Sequence, residues 1–316
     1  NPDYLDAIQK GLKGDKGGLN TLYTIKVLNQ DINRAPLHRA IEKAAKAAEN
    51  DPASGETKNA LAIVKYLAND PNIDFTMKKS DKRLTNNHYN IIHAAVETGN
   101  PKILEIILDP DNQNLTKVSN LYIKIPYASL PINQQDTGSN TPLHRAIKKA
   151  EAAADAKPVD EGKVTAALTI VTDLAGDPNI DFTKQDRERM TPLNRASSGT
   201  TIIGIINSVH LGNDSKARST LITALPQKVR GRGGPNPITK ALSAGLGDDK
   251  KEESRDKLIG KTKELIEHGL KLPLSAVNVL ISKDRLASFE ESLKKHPLDK
   301  TTLNHALTYA IYTNKA

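Results

Sequence analysis

The chain contains no cysteine and no tryptophan, and aromatic residues make up only 3% of its 316 residues. Without cysteine there is no disulfide, no thiolate zinc site and no cysteine nucleophile. Scarce aromatic side chains disfavour a large layered β core, whereas alanine, leucine and isoleucine favour closely packed helices. The composition therefore predicts a helical protein and suits a reducing compartment.

Long apolar runs are also missing. No stretch of about 18 consecutive apolar residues occurs, so the sequence predicts no transmembrane helix. The opening NPDYLDAIQKG lacks the basic start and apolar stretch of a signal peptide. Because the chain begins at Asn1 and not at Met, we expect a fragment of a longer protein. We expect this protein to work in the cytoplasm.

Acidic residues are outnumbered by basic ones, 37 to 45, which gives a net charge of +8. Such a balance tolerates an anionic partner: a nucleic acid, an anionic lipid surface or an acidic protein face. Charge alone does not choose among them.

Internal repeats organise the chain. PLHRAI occurs at residues 36–41 and 142–147, and each copy is followed at a distance by DPNIDF, at 70–75 and 177–182. Between the two marks lie an Ala/Lys/Glu-rich segment, a proline-containing turn and a second apolar-periodic segment. This pattern predicts a pair of antiparallel helices with an enlarged tip.

Further unit starts follow the same scheme. NIIHAAVETGNPKILEIIL at residues 90–108 predicts a compact helix pair, and TPLNRA at 191–196 marks another start. Two weaker starts are NPITKA at 236–241, completed by LIEHGLKL at 265–272, and TTLNHA at 301–306.

These motifs resemble the ankyrin repeat, whose unit begins D..G.TPLH.AA..G and ends LL..GADVN. DTGSNTPLHRAI at residues 136–147 and DRERMTPL at 186–193 match the start, while DPNIDF and EHGLKL stand where the family has GADVN. The resemblance covers most of residues 31–316. It implies an all-α ankyrin-repeat solenoid of stacked antiparallel helix pairs joined by hairpin-like loops.

The predicted domain layout is one solenoid over residues 1–316. Residues 1–30 form a degenerate capping helix pair, 31–249 the enlarged units, and 250–316 divergent C-terminal units or a cap. Family units have about 33 residues, and the units here are longer. We expect the surplus in the helix-pair tips and in the connection at 109–135, where long loops on a scaffold often carry function.

The conspicuous histidines His38 and His144 occupy the fourth position of the start motif. The resemblance implies that such a ring bonds to the neighbouring hairpin, while Thr141 helps to cap the helix. Asn194 stands at the same place in a later unit, and an amide cannot act as a general base. We therefore predict an architectural role for these histidines.

Catalytic and cofactor motifs are not recognisable. The eight histidines include no HExxH and no pair at i, i+4 spacing, so no metal site is predicted. GKT at residues 260–262 lacks the first glycine of a phosphate-binding loop, and we predict an amphipathic helix there. No catalytic residue and no cofactor are predicted.

Three basic stretches precede unit starts: MKKSDKR at residues 77–83, KQDRER at 184–189 and VRGR at 229–232. On a solenoid such loops project from one edge, so we expect their cations to form one basic strip with lysines of the first helices. KVRGRGGPNP at 228–237 combines glycines and arginines that suit a phosphate or carboxylate, although a solvated loop explains the same residues.

The leading hypothesis is a non-catalytic scaffold that binds a partner protein on its concave finger and inner-helix surface, as the resemblance implies. The register of the units assigns these binding residues: Arg34, Glu42, Lys43, Tyr89, Glu97, Asn140, Lys148, Lys149, Arg187, Arg189, Arg230 and Arg232. We expect a monomer whose partner has an acidic face.

Two alternatives stay open. The first is an ankyrin scaffold attached to an enzymatic activity, although residues 250–316 show no recognisable nucleophile and base. The second is a binder of nucleic acid or anionic lipid through the basic strip, which the scarcity of stacking aromatics disfavours. The irregular units and the Asn-, Lys- and Ile-rich composition also resemble ankyrin effectors that intracellular bacteria inject into host cells, so we expect translocation into the host cytoplasm.

Overall fold

A computed structural model describes residues 23–27, 30–34, 36–69, 75, 90–109, 115–118, 121–124, 130–209, 216–227, 235–247 and 252–282. Residues 1–22 of the cap predicted at 1–30, and the start at 301–306, lie outside this part. The chain divides into two compact bodies. Body 1 contains Asn1–Lys149 and Asp160–Ile170, and body 2 contains Ala150–Val159 and Val171–Ala316.

The described elements are mostly helical. In body 1 they are β1 (Tyr23–Val27), β2 (Gln30–Arg34), α1 (Pro36–Asn50), α2 (Gly55–Ala68), α3 (Ile91–Thr98), α4 (Pro101–Leu108), β3 (Leu115–Val118) and β4 (Leu121–Lys124). Two helices have residues in both bodies, α5 (Pro142–Asp155) and α6 (Glu161–Ala175). Body 2 continues with α7 (Pro192–Arg195), α8 (Gly199–Ser208), α9 (Lys216–Ala224), α10 (Pro237–Gly247), α11 (Glu252–Glu267) and α12 (Leu274–Ser282).

The predicted fold class, an all-α array of antiparallel helix pairs with enlarged units, is confirmed. In body 1, α1 packs on α2 and α3, while α4 packs on α2 and α3. The strands form two antiparallel hairpins, β1–β2 and β3–β4. Strand β1 lies where we predicted part of a helical cap, and the second hairpin lies in the connection at 109–135, where we predicted surplus residues in a long loop.

The compact pair α3–α4 shows how sequence sets the helix limits. Asn90 caps α3 by accepting a hydrogen bond from the His93 N–H at 3.0 Å. Gly99, with φ 70°, ends α3 in the left-handed region where glycine has no steric penalty. Asn100 then caps α4, and Pro101 occupies its first position. Both helices and the tight turn follow the prediction.

The end mark DPNIDF at residues 177–182 is a folded loop in body 2. Its Phe182 side chain is fully buried, and the Phe182 N–H donates to Thr220 Oγ1 at 3.2 Å. The Ala217 N–H donates to the Pro178 carbonyl oxygen at 3.0 Å. The motif, which follows α6 in the chain, is therefore hydrogen-bonded to α9. Of the first copy, at 70–75, only Phe75 lies within the described residues.

The unit that starts at Thr191 departs from the predicted pair because its first helix, α7, has only 4 residues. Glu151, on α5, accepts hydrogen bonds from the Ser198 N–H at 3.2 Å and from Thr201 Oγ1 at 3.3 Å, and it also bonds to Ser197. Ser198 itself caps α8. Glu151 and Ser198 thus hold the start of α8 at Gly199, a few residues after α7 ends at Arg195.

A further helix start was missed in the sequence. Gly269, with φ 103°, turns the chain out of the end of α11, and Pro273 then leads into α12. The segment LPLSA at 272–276 copies the spacing of TPLH, with Ser275 at the histidine position. Ser275 lies 2.8 Å from Thr239 Oγ1 of α10, so it joins neighbouring first helices.

Among the described residues, no helix is both long and apolar enough to cross a membrane.

The close approach of α8 and α10 yields a stability prediction. A Cβ atom on Gly199 would lie 2.6 Å from the Lys240 carbonyl oxygen and 2.5 Å from the Ala244 Cβ. Because backbone would have to move, we expect Gly199→Ala to lower the free energy of unfolding by about 1–3 kcal/mol. Urea unfolding followed by circular dichroism measures this.

Gly55→Ala is the matched control. Gly55 also follows a capping serine at the start of a helix, but a Cβ atom added to it would have no neighbour within 4 Å. We expect the free energy of unfolding of Gly55→Ala to equal that of the wild type or to exceed it by up to about 1 kcal/mol. Equal effects of the two substitutions would contradict the close packing of α8 on α10.

Candidate functional site

Two finger loops precede helices α5 and α7: finger 1 is residues 136–141, and finger 2 is residues 186–191. Finger 1 is closed by a carboxylate at its base. Asp136 Oδ1 accepts hydrogen bonds from the backbone N–H groups of Gly138 at 2.7 Å and Asn140 at 2.8 Å. The Asp136 N–H donates to the Asn140 carbonyl oxygen at 2.9 Å. These bonds turn the chain back and fix the loop.

An arginine nine positions later ties finger 1 to its own helix. The Arg145 Nε–H donates to Asp136 Oδ2 at 2.6 Å, and a second guanidinium nitrogen lies 2.5 Å from the same oxygen. Burial alone would raise the pKa of Asp136, but the Asn140 N–H and the Arg145 guanidinium together lower it. The carboxylate thus stays charged and keeps both bonds.

Finger 2 repeats this geometry in body 2. Asp186 Oδ1 accepts from the backbone N–H groups of Glu188 at 2.9 Å and Met190 at 3.1 Å. The Arg195 Nε–H donates to Asp186 Oδ2 at 2.9 Å. Burial would raise the pKa of Asp186, and Arg195 and the backbone N–H groups reverse that effect. We name this pair, in either finger, the Asp–Arg anchor.

The tips of the two fingers have the same backbone conformation but different side chains. Ser139 and Arg189 occupy the same place and both have φ 59°, in the left-handed region. Finger 1 presents Thr137, Gly138 and Ser139 there. Finger 2 presents Arg187, Glu188 and Arg189, all exposed.

Finger 1 is also bonded to helix α3. His93 Nε2 lies 3.0 Å from the Asn140 carbonyl oxygen, and His93 Nδ1 lies 2.9 Å from Asn90 Oδ1. A neutral ring can donate to only one of these two oxygens. Burial nevertheless lowers the pKa of His93 to about 4, so the ring is neutral near pH 7. The contact to the next finger is the one that the ankyrin resemblance implies.

The histidine of the repeated hexapeptide behaves as predicted. His144 is fully buried, and its Nδ1 lies 2.8 Å from Thr141 Oγ1 and accepts from the Thr141 N–H at 3.2 Å. In the later unit, the Asn194 N–H donates to Thr191 Oγ1 at 3.3 Å. His38 is also buried. The His144 ring therefore holds the start of helix α5, and the buried rings of His38 and His144 are not presented to a ligand.

Four of the predicted binding residues form one cluster in body 1. Lys148 Nζ donates to Asn140 Oδ1 at 3.0 Å, and Lys149 Nζ donates to the Glu97 carbonyl oxygen at 2.6 Å. The sequence-based prediction missed Arg145, whose Nη1 lies 2.5 Å from Glu97 Oε1. The signal for it was the shared spacing from Asp to Arg in DTGSNTPLHR and DRERMTPLNR.

The remaining predicted residues are placed separately. Glu42 is half-buried and Lys43 is exposed on α1, while Arg187 and Arg189 lie at the tip of finger 2. For Arg34 the structure describes only the backbone, in β2. Tyr89, Arg230 and Arg232 lie outside the described residues, as do the basic stretches at 77–83 and 229–232. The single basic strip therefore stays a prediction.

Within the described ranges, no group of three or more ligand side chains is arranged to hold a metal ion. The GKT segment at 260–262 lies inside helix α11, as predicted. Thr262 is fully buried there, and its hydroxyl donates to the Leu258 carbonyl oxygen at 2.7 Å.

No protein-family model and no curated protein matches the chain. Among solved structures, it is similar to the Legionella pneumophila effector AnkC, with 16% identity over 99% of this chain and 95% of that chain. The TM-score is 0.34. At this value the similarity supports no conclusion on fold or function.

The buried neutral His93 predicts a pH dependence of stability. Its ordinary pKa is 6.5, against about 4 in the folded chain, so below pH 6.5 the unfolded state binds a proton that the folded state does not. Stability from this group is therefore present at pH 7 and falls toward pH 4. Between pH 7 and pH 5 we expect a loss of about 2 kcal/mol.

Urea unfolding at the two pH values tests this in the wild type, in His93→Asn and in the control His268→Asn, whose site is exposed. His93→Asn should lose less stability between pH 7 and pH 5 than the wild type, whereas the control should lose as much. An unchanged loss in His93→Asn would refute the assignment.

Proposed function

We propose that the chain is a non-catalytic scaffold that binds a partner protein through its finger loops and through the inner helices α3 and α5. One observation carries this proposal: the two fingers have the same Asp–Arg anchor on a buried aspartate, and their tips carry different residues, half-buried in finger 1 and exposed in finger 2. The anchor fixes the backbone whatever the tip residues are. The tips are thus free to serve recognition.

A fixed loop is favourable for binding because little conformational entropy is lost when a partner docks. Asp136 has a fully buried side chain, and the side chain of Asp186 is 2% exposed, so neither carboxylate is available to a partner. The residues between Asp and Thr in each finger are half-buried or exposed, apart from the buried Met190. Structural and recognition residues are therefore separate within a short loop.

The cluster in body 1 has the mixed charge that suits a protein partner. Lys148 is exposed, and the side chains of Lys149 and Glu97 are 36% and 38% exposed. Lysines next to a carboxylate favour a partner with complementary charges of both signs. A uniform polyanion would meet repulsion from Glu97 at the same place.

Three buried aspartates are held in internal bonds and are not available to act as acids or bases. Asp136 and Asp186 are held by their anchors. Asp181, whose pKa burial would raise, is kept below its ordinary pKa by the Thr183 hydroxyl and N–H and by Lys216. The alternative of an attached enzymatic activity, and delivery into a host cell, stay predictions from the sequence.

The test begins with affinity capture from a host-cell lysate, identification of the partner by mass spectrometry and calorimetry with the purified partner. We expect Lys148→Glu with Lys149→Glu to weaken binding at least about tenfold, because two interfacial charges are reversed. Thermal melting should change little, since exposed pairs contribute about 0–1 kcal/mol.

The matched control is Lys58→Glu with Lys65→Glu, two exposed lysines on helix α2 of the same body. It changes the net charge equally and should leave the affinity unchanged. Equal affinities for the wild type and both double variants would remove the inner-helix surface from the proposal.

A further inference from the structure

Arg189 occupies a backbone conformation that costs free energy. Its φ of 59° lies in the left-handed region, where a side chain with a Cβ atom costs roughly 1–2 kcal/mol relative to glycine. The ankyrin start motif D..G.TPLH has glycine at this place, and finger 1 has the smaller Ser139. The long arginine side chain is thus kept where glycine would be easier to accommodate.

The folded structure does not depend on the side chain of Arg189. The bond that closes the turn runs from the Arg189 N–H to the Asp186 carbonyl oxygen at 2.9 Å, and glycine would make the same bond. The Arg189 side chain is exposed, and among the described residues it forms no ion pair. Strain that stabilises nothing inside a structure is typical of functional positions.

The charges around Arg189 favour an anionic group. Arg195 of helix α7 binds Asp186 and also contacts Glu188 Oε1 at 3.0 Å, so both acidic residues of finger 2 are paired with this arginine. Arg187 is exposed, and Lys184 is half-exposed at the base of the loop. The tip therefore presents excess positive charge on a fixed backbone.

We infer that Arg189 is a partner-recognition residue and that finger 2 binds carboxylates of an acidic protein segment. This inference rests on the proposed scaffold function and names the chemistry of its partner. The planar guanidinium fits a single carboxylate through two parallel hydrogen bonds. Glu188, with a side chain 50% exposed, stands between Arg187 and Arg189 in the chain, so the two arginines do not form a continuous run of positive charge.

Finger 1 serves as an internal comparison. Its tip has the same φ at Ser139 but no cation, because Thr137, Gly138 and Ser139 stand between the anchor and Asn140. Glycine at position 139 should relieve the same strain without removing a charge. The two fingers thus separate the effect of the backbone from that of the guanidinium.

The experiment measures stability and binding together in the full chain. The probe is a fluorescein-labelled glutamate-rich peptide, followed by fluorescence anisotropy. Arg189→Gly should raise the urea midpoint of unfolding and weaken peptide binding about tenfold or more, the loss expected for one charge-assisted bidentate contact. Ser139→Gly should raise the midpoint, because it relieves the same strain, and it serves as the control for the stability effect alone. Arg189→Lys should retain part of the affinity, because charge remains and the fork is lost.

Several results would overturn the inference. They are no binding of the peptide by the wild type, unchanged affinity in Arg189→Gly, or a lower urea midpoint in Arg189→Gly. Tighter binding of heparin or of phosphatidylserine vesicles than of the peptide, also lost in Arg189→Gly, would assign finger 2 to polyanions instead of a protein.

Different results would contradict the scaffold function and the carboxylate-binding role of finger 2. If Lys148→Glu with Lys149→Glu abolishes capture of the partner while Arg189→Gly has no effect on peptide binding, the scaffold stands and finger 2 does not recognise carboxylates. If the lysine variant changes nothing and Arg189→Gly loses the peptide, finger 2 binds an acidic segment and the inner-helix surface is not part of the interface.

Discussion

The bond between a buried aspartate and an arginine nine residues later is the interaction on which the finger geometry depends. One oxygen of the aspartate accepts from two backbone N–H groups of its loop, whose tip residue lies in the left-handed region, and the other oxygen bonds to the arginine and joins the loop to the helix that follows. Because an unpaired buried carboxylate is costly, the two partners stabilise the fold only together. Each tip is therefore positioned by a carboxylate that a partner cannot reach.

The contacts between neighbouring units of body 1 start from these anchors. Arg145 uses one side of its guanidinium for Asp136 and the other for Glu97 of helix α3. The Asn140 carbonyl oxygen, which closes finger 1, also meets the buried ring of His93. One short loop therefore sets its own shape and the position of the helix before it. In body 2, Thr239 and Ser275 join neighbouring first helices with hydroxyl groups in place of a histidine.

Sequence periodicity and the start motif were sufficient to predict the helical fold class, the α3–α4 pair and the architectural role of His144, since these depend on local caps and apolar spacing. The early end of α7 was not predictable, because it depends on Glu151, which lies 47 residues before Ser198. Arg145 was missed for a similar reason: its partners Asp136 and Glu97 come together only after the loop folds back. The short β3–β4 hairpin lay in a segment whose composition indicated only an insertion. The surface that joins Glu97, Asn140, Lys148 and Lys149 was predicted from register, but its hydrogen bonds were not.

The short separation of Asp and Arg in each anchor has a consequence for the order of folding. Contacts between residues close in sequence lose little loop-closure entropy and form faster than distant ones. Each finger can therefore close on the first turn of its helix at an early stage. The long tip between α5 and α6, and the hydrogen bonds of Ser198 and Thr201 to Glu151, can form later. Chain assembly can begin independently at two places, with the loops that carry the exposed tips among the earliest parts to take shape.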